Sequence, residues 1–300
     1  MFTVFAALLA GVATGRLGGV RAARHAGRLL SLGLVVLLFL MGVRLGASDA
    51  VVSNLGQIGA YAFVLALGSV VGSVACAYAI RGFLPSFDSP GDVDSGDGDS
   101  RTLTALVLGA LVAGAVVGAT VLPAGSLLLV ERATTLALAG LLFAVGVGLG
   151  ADGALLAQVK RLGVPILALP ASIAVGSVAG ALAVGVALGM SGTAAAAVGA
   201  GFGWYSLSAV LITDAAGVHL GSLAFLANVF REALALASLP FVVRHFGRAA
   251  AIAPGGATTM DVTLPAVKDS AGNGAVVPAF VNGAVLSSLV PVLVPAFLGF

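Results

Sequence analysis

The chain has 300 residues, 60% of them hydrophobic and 9% charged, with a formal net charge of +2, whereas a soluble domain is roughly 45–50% apolar and about 25% charged. These values exclude a soluble globular domain, and with no sizeable polar region to house an active site they exclude an ordinary enzyme. Forty-three Gly and eleven Pro follow no Gly-X-Y period, so the chain is neither collagen-like nor disordered.

What remains is an all-α polytopic membrane protein, because a hydrocarbon core about 30 Å thick takes about 20 apolar residues per helical span. Apolar stretches run over residues 2–15, 29–46, 55–80, 102–121, 133–150, 164–188, 193–213, 222–243, 249–263 and 275–298. The first is short, but its positive charges, Arg16, Arg21, Arg24 and Arg28, follow the apolar run. A secretory signal places them before it, so this stretch reads as a retained span with its N-terminus outside. Over the first six spans the loops then assigned to the cytosol carry those four Arg, Arg81, Arg101, Lys160 and Arg161, against Arg132 outside, or Arg132 and Arg44 if Arg44 snorkels outward. Lys and Arg concentrate on the inner side, which supports that orientation.

Residues 82–101 contain Asp88, Asp92, Asp94, Asp97 and Asp99 among Gly and Ser, a composition that buries too little apolar surface to order itself. They read as an acidic flexible cytosolic linker. An EF-hand ends in Glu at a fixed spacing, and this segment has none. Cys76 is the single cysteine, and His25, His219 and His245 are scattered, so no disulfide framework, metal site or cofactor is expected.

LLSLGLVVLLFLMGVRLG at residues 29–46 aligns without gaps with ATTLALAGLLFAVGVGLG at 133–150, matching at nine positions that include Phe39 with Phe143 and Gly42 with Gly146. These are the second and fifth spans, which run in opposite directions when spans alternate. Residues 1–81 and 102–188 therefore read as two three-helix inverted repeats of the kind that build many secondary transporters, and 189–300 as the transport core.

The core departs from plain spans. If residues 193–213 cross fully, Arg244, His245 and Arg248 fall outside, against the charge bias; if they dip in and return, the cluster is cytosolic. Residues 249–263 are short and carry Pro254, Gly255 and Gly256. The expected layout is eight spans plus two broken or re-entrant elements entered from opposite sides, with both termini outside. Ten spans with two broken helices crossing near the midplane is the alternative, since irregular backbone is tolerated at membrane depth where it lines a cavity.

A charge at the centre of a membrane helix costs about 2.5–3.5 kcal/mol on insertion scales, so Arg231, Glu232 and Asp261 need a reason to be where they are. Glu232 shares a helix face with Asn228, four residues earlier. Asp261 follows Gly255, Gly256, Thr258 and Thr259; a Gly-Gly break frees carbonyls and half-helix ends that, with a carboxylate, suit a cation. One expectation pairs Asp261 with Arg231 as a structural ion pair; the other assigns Asp261 and Glu232 to a cationic substrate or to protons. At the other break, GFGWYSLS over Gly201–Ser208 places Trp204 and Tyr205 beside Ser206 and Ser208. Trp204 is suited to pack over an alkyl chain or ammonium, and the hydroxyls to hydrogen-bond a substrate. The Gly residues at 146, 148 and 150 match no nucleotide fingerprint and suit close helix packing.

GFGWYSLS, AFLANVFRE at Ala224–Glu232, GGATTMDVTLP at Gly255–Pro265 and VPAFVNG at Val277–Gly283 together resemble the LysO-type lysine exporters of bacteria and archaea. The resemblance implies an inner-membrane secondary carrier that moves L-lysine and its toxic analogues out of the cytosol by proton antiport, with the family's intramembrane acidic positions at Glu232 and Asp261. Many members carry His where this chain has Asn282, which argues against a His relay there. The expected partners are L-lysine, protons and the lipid bilayer, with a homo-oligomer left open and no nucleic acid. Alternatives are a carrier for another basic amino acid, Na+/H+ exchange on the same fold, or a channel or structural membrane subunit.

Overall fold

The computed structural model describes residues 2–47, 49–84, 100–122, 127–152 and 163–299. The five Asp of the acidic linker, and Lys160 and Arg161, lie outside the described residues. Among those residues all regular structure is helical: α1 (Phe2–Gly46), α2 (Asp49–Ala79), α3 (Ser100–Thr120), α4 (Leu127–Asp152), α5 (Ala168–Ala187), α6 (Gly192–Gly199), α7 (Tyr205–Ala216), α8 (Val218–Ala251), α9 (Leu264–Ala271) and α10 (Val276–Leu298), with short 3-10 turns between some of them. Ile58–Ala79, Leu128–Gly148, Val164–Ala187, Val218–Ala251 and Asn273–Leu298 are each long and apolar enough to cross a membrane. A helix satisfies its own backbone groups, which a lipid environment demands, and the chain is a multi-pass membrane protein. It divides into two compact units.

The first unit comprises Met1–Val52, Ser89–Gly163 and Leu264–Val277. Helix α1 is one unbroken helical run by assignment, where the sequence suggests two stretches separated by basic residues. Along a straight helix Gly11 and Gly33 would stand about 33 Å apart. Gly11 nevertheless lies against Phe143 and Gly33 against Leu141, so α1 folds back into two arms that both flank the same part of α4. Glycine sets how closely they approach. A Cβ at Gly11 would strike the Phe143 carbonyl, and one at Gly15 the Val147 carbonyl. The second arm meets α3 in the same way, with Gly114 against the Phe39 carbonyl and Gly118 against that of Val43. Phe39 and Val43 are the residues that align with Phe143 and Val147, so one packing pattern occurs twice. Small residues four apart let backbones touch and gain dispersion contacts that larger side chains would prevent.

The second unit comprises Ser53–Asp88, Val164–Thr263 and Pro278–Phe300. Here α2 and α5 cross antiparallel, with Gly72 on the Gly176 carbonyl and Gly68 on that of Gly180. Helix α6 starts at Ser191, whose side chain caps it by accepting from the Ala194 amide at 3.3 Å, and runs back along α5 so that Gly199 reaches Ala181. Met190 and Ser191 share a cleft with His219 and Leu220. The start of α6 and the end of α7 thus lie at one level, while the turn between them, 200–204, lies deeper, against Asn228. In the structure α6 and α7 form a hairpin. Helix α8 follows and changes direction at Gly247, whose φ of 84° is costly for any residue with a Cβ. Beyond Ala251 regular α-helix gives way through Pro254, Gly255 and Gly256 to the 3-10 turn Gly256–Met260, as proline and paired glycines dictate.

The α2–α5 crossing yields a clean test. Gly72→Val should lower the thermal unfolding midpoint in detergent by an amount equivalent to at least about 1–3 kcal/mol, the usual range for overpacking. Gly56→Ala on the same helix, with open space at its Cβ position, should leave the midpoint unchanged or raise it.

Candidate functional site

Helix α8 supplies three buried polar side chains in one stretch, Asn228, Arg231 and Glu232. Asn228 and Arg231 lie three residues apart and so project from one side of the helix, each toward a different break in the backbone. The Asn228 carbonyl oxygen accepts from the Gly203 amide at 2.7 Å. Its amide nitrogen donates to the Ala224 carbonyl at 2.9 Å and, more weakly, to the Val198 carbonyl and the Ser208 hydroxyl, both at 3.4 Å. This one side chain satisfies the Gly203 amide left open beyond the end of α6 and shares the Val198 carbonyl with the Gly201 amide, as buried polar groups require. Gly201 leaves the room: a Cβ there would lie 2.5 Å from the Asn228 amide nitrogen. Phe202, fully buried at the turn, has a φ of 48°, a left-handed backbone that costs free energy and persists only where the surroundings enforce it.

Arg231 is 1% exposed. Its Nε donates to the Pro254 carbonyl at 3.1 Å, Nη1 to the Ser177 hydroxyl at 2.5 Å, and Nη2 to the Ser73 hydroxyl at 3.1 Å and the Ala253 carbonyl at 3.2 Å. Each serine passes its own proton to a carbonyl, Ser73 to Ile173 and Ser177 to Gly199, so both present lone pairs to the guanidinium. The expected Arg231–Asp261 ion pair is absent. The backbone break places the Pro254 carbonyl on Arg231, together with the Ala253 carbonyl, which also accepts from the Gly256 amide at 3.3 Å, while the Asp261 carboxylate accepts from the neighbouring Val262 amide at 2.6 Å.

The two breaks touch. The Ala257 amide donates to the Phe202 carbonyl at 2.8 Å. A Cβ on Gly256, whose φ is 58°, would strike that carbonyl and come within 3.0 Å of Arg231 Nη2. On the other side of Gly256, the Asn282 amide nitrogen donates to the Gly256 carbonyl and to the Thr259 hydroxyl, both at 2.9 Å. Thr258 and Thr259 close the turn on the carbonyls of Gly255 and Gly256.

The structure thus gathers Asn228, Arg231, Ser208, Gly255, Gly256, Thr258, Thr259 and Asn282, with the half-buried Asp261 at the end of the same turn. Glu232 is buried on α8 beside Arg231. Trp204 and Tyr205 are half-buried at the start of α7, Tyr205 edge-on to Phe225 with ring centroids 5.4 Å apart, and Ser206 faces outward. Ser73, Ser177 and the Phe202 carbonyl are partners that sequence reasoning missed. A signal existed for the serines: VGSVA occurs at both 71–75 and 175–179, 104 residues apart, the same offset as between 29–46 and 133–150. Chemically, the centre combines a cation hydrogen-bonded by neutral groups with freed carbonyls, hydroxyls and nearby carboxylates, able to attract an anionic and a cationic group together.

A family model described as lysine exporter LysO matches residues 5–92 and 108–298. The lysine exporter LysO of Escherichia coli is 38% identical over 159 residues, covering 52% of this chain and 52% of its own. A putative lysine exporter of Haemophilus influenzae is 37% identical over 160 residues, covering 53% of this chain and 81% of its own. The chain therefore spans about half the length of the first of these relatives. No solved structure matches.

Asn228→Ala should destabilise the protein by about 1–3 kcal/mol, because the Gly203 amide loses a buried acceptor. Thermal unfolding in detergent, with Ser206→Ala as a near-neutral control, measures it.

Proposed function

The chain belongs to the lysine exporter LysO family, and from that premise we propose that it is a secondary carrier exporting L-lysine and its analogues from the cytosol in exchange for protons. The observation that carries this reading is the contact between two broken elements around one buried guanidinium, with the Ala257 amide on the Phe202 carbonyl and Arg231 on the carbonyls of Ala253 and Pro254. Carrier sites in other folds are built at such discontinuous helices, where freed backbone groups bind cargo at membrane depth. Asp261 and Glu232 are the acidic groups of this stretch. In the proposed mechanism they take the lysine side-chain ammonium in one half of the cycle and protons in the other.

The proposed layout has eight spans in the cytoplasmic membrane, both termini outside, with the α6–α7 hairpin as a re-entrant element and residues 249–263 as a second one. Residues 1–81 and 102–188 are the two inverted repeats, a reading supported by the recurrence of the Gly11–Phe143 packing as Gly114–Phe39. Arg231 and Asn228 then hold the breaks in place, while Trp204, Tyr205, Ser208, Thr258, Thr259 and Asn282 line or support the cargo path.

Radiolabelled lysine counterflow in proteoliposomes tests the reading. The protein should exchange lysine, and an imposed pH gradient should drive net movement. Asp261→Asn should abolish gradient-driven movement; retention of that movement with unchanged pH dependence would remove Asp261 as the coupling group.

A further inference from the structure

Helices α2 and α8 run side by side in one direction. Phe63 meets Phe230 edge-on with ring centroids 5.8 Å apart, and Tyr78 meets Phe246 in the same way at 5.4 Å, fifteen residues further along α2 and sixteen along α8. Their ends therefore reach one surface of the membrane, and length places that surface among the lipid head groups. The span Ile58–Ala79 has 22 residues, about 33 Å of helix, enough for a hydrocarbon core of about 30 Å, so Tyr78 and Arg81 stand at its edge. From Val218 to Phe246, α8 covers about 42 Å, close to the whole bilayer of about 40–45 Å with its head groups. At this end the two helices build one joined cluster of rings and cations. The Arg81 guanidinium lies 3.7 Å from the centre of the Tyr78 ring, and Nη1 donates to the Tyr78 carbonyl at 2.9 Å, so a cation that remains exposed is held in one place. Phe246, packed on Tyr78, lies 6.3 Å from Phe241, which is 58% exposed. Exposed Arg244 and half-buried Arg248 stand two residues to either side of Phe246. No Asp or Glu occurs in residues 71–84 or 236–252, so both stretches carry positive charge alone.

Basic residues at the end of a span are expected from topology alone, but orientation requires only their number. It does not require a guanidinium fixed on a ring, or aromatic contacts that join two helices. We infer that the joined ends of α2 and α8 bind the head groups of anionic phospholipids, with phosphate oxygens on Arg81, Arg244 and Arg248 and with Tyr78, Phe241 and Phe246 among the glycerol and upper acyl carbons. A guanidinium meets a phosphate through two parallel hydrogen bonds, aromatic rings are enriched at head-group level, and a basic cluster beside a span draws anionic lipid from the leaflet. A soluble anion would engage the cations and gain nothing from the rings. This surface is independent of what the protein carries.

The test is thermal unfolding of the purified full-length chain in mixed micelles titrated with phosphatidylglycerol, phosphatidylcholine or soluble glycerol 3-phosphate. Phosphatidylglycerol should give the same rise in midpoint at a mole fraction at least about fivefold lower than phosphatidylcholine, the contribution of one basic residue near an anionic surface, and high salt should narrow that difference. Glycerol 3-phosphate should leave the midpoint unchanged. Arg81→Gln and Tyr78→Leu should each bring the two lipids closer together; Tyr78→Leu keeps every charge, so its effect separates this surface from net charge. Arg132→Gln, which removes an exposed Arg of the first unit, should preserve the preference. Equal response to the two lipids would overturn the inference, and is the result expected if the Asp-rich residues 88–99 were the anion at this surface. Stabilisation by glycerol 3-phosphate as strong as by phosphatidylglycerol would also overturn it, in favour of a soluble anion. These two outcomes need no variant to fold. A preference unchanged in both Arg81→Gln and Tyr78→Leu would place the lipid elsewhere on the protein.

Discussion

One buried cation organises the second unit. Arg231 sits well inside α8, too far from either end to reach water along its own stem, and its insertion carries a cost of about 2.5–3.5 kcal/mol. Four neutral acceptors meet it, and they come from two structural features. Ser73 and Ser177 come from the α2–α5 crossing, and the carbonyls of Ala253 and Pro254 from a segment that cannot continue as α-helix. Had that segment stayed helical, the Pro254 carbonyl would have been engaged within it. The break after Ala251 and the burial of Arg231 therefore solve each other's problem.

The same reciprocity governs the other break. The turn at 200–204 exposes backbone donors and acceptors inside the protein, and Asn228 supplies both kinds from one side chain. Glycine makes the approach feasible at Gly201 and Gly256, where a methyl group would meet the Asn228 amide or the Phe202 carbonyl. Close approach in turn lets the Ala257 amide find the Phe202 carbonyl, so irregular backbone at the centre is satisfied by irregular backbone.

Much of this was legible from residues alone. The helical spans follow from runs of apolar residues of the right length, and both breaks from Gly and Pro in segments otherwise apolar enough to continue. Arg231, Glu232 and Asp261 stood out because charge in such surroundings is expensive, Asn228 because it shares a helix face with Glu232, and Asn282 through the family resemblance alone. The partner of Arg231 was not legible. Charge arithmetic favours Asp261, but reach decides the matter: Ala253 and Pro254 occupy the guanidinium, and Asp261 turns to Val262. Nor does periodicity distinguish a helix that passes through from a hairpin that returns, because α6 and α7 are apolar in either arrangement. Ser73 and Ser177 hide among many small residues, and become visible once the repeated VGSVA is read at the offset of the longer repeat.

The central claim is that one guanidinium is held jointly by two serines from two crossing helices. Its most direct measurement is a double-mutant cycle of Ser73→Ala and Ser177→Ala, read as unfolding free energy in mixed micelles. Groups sharing one partner should couple, and the predicted non-additivity is at least about 0.5 kcal/mol. Additivity within about 0.3 kcal/mol would mean that the serines act independently and that Arg231 does not join them.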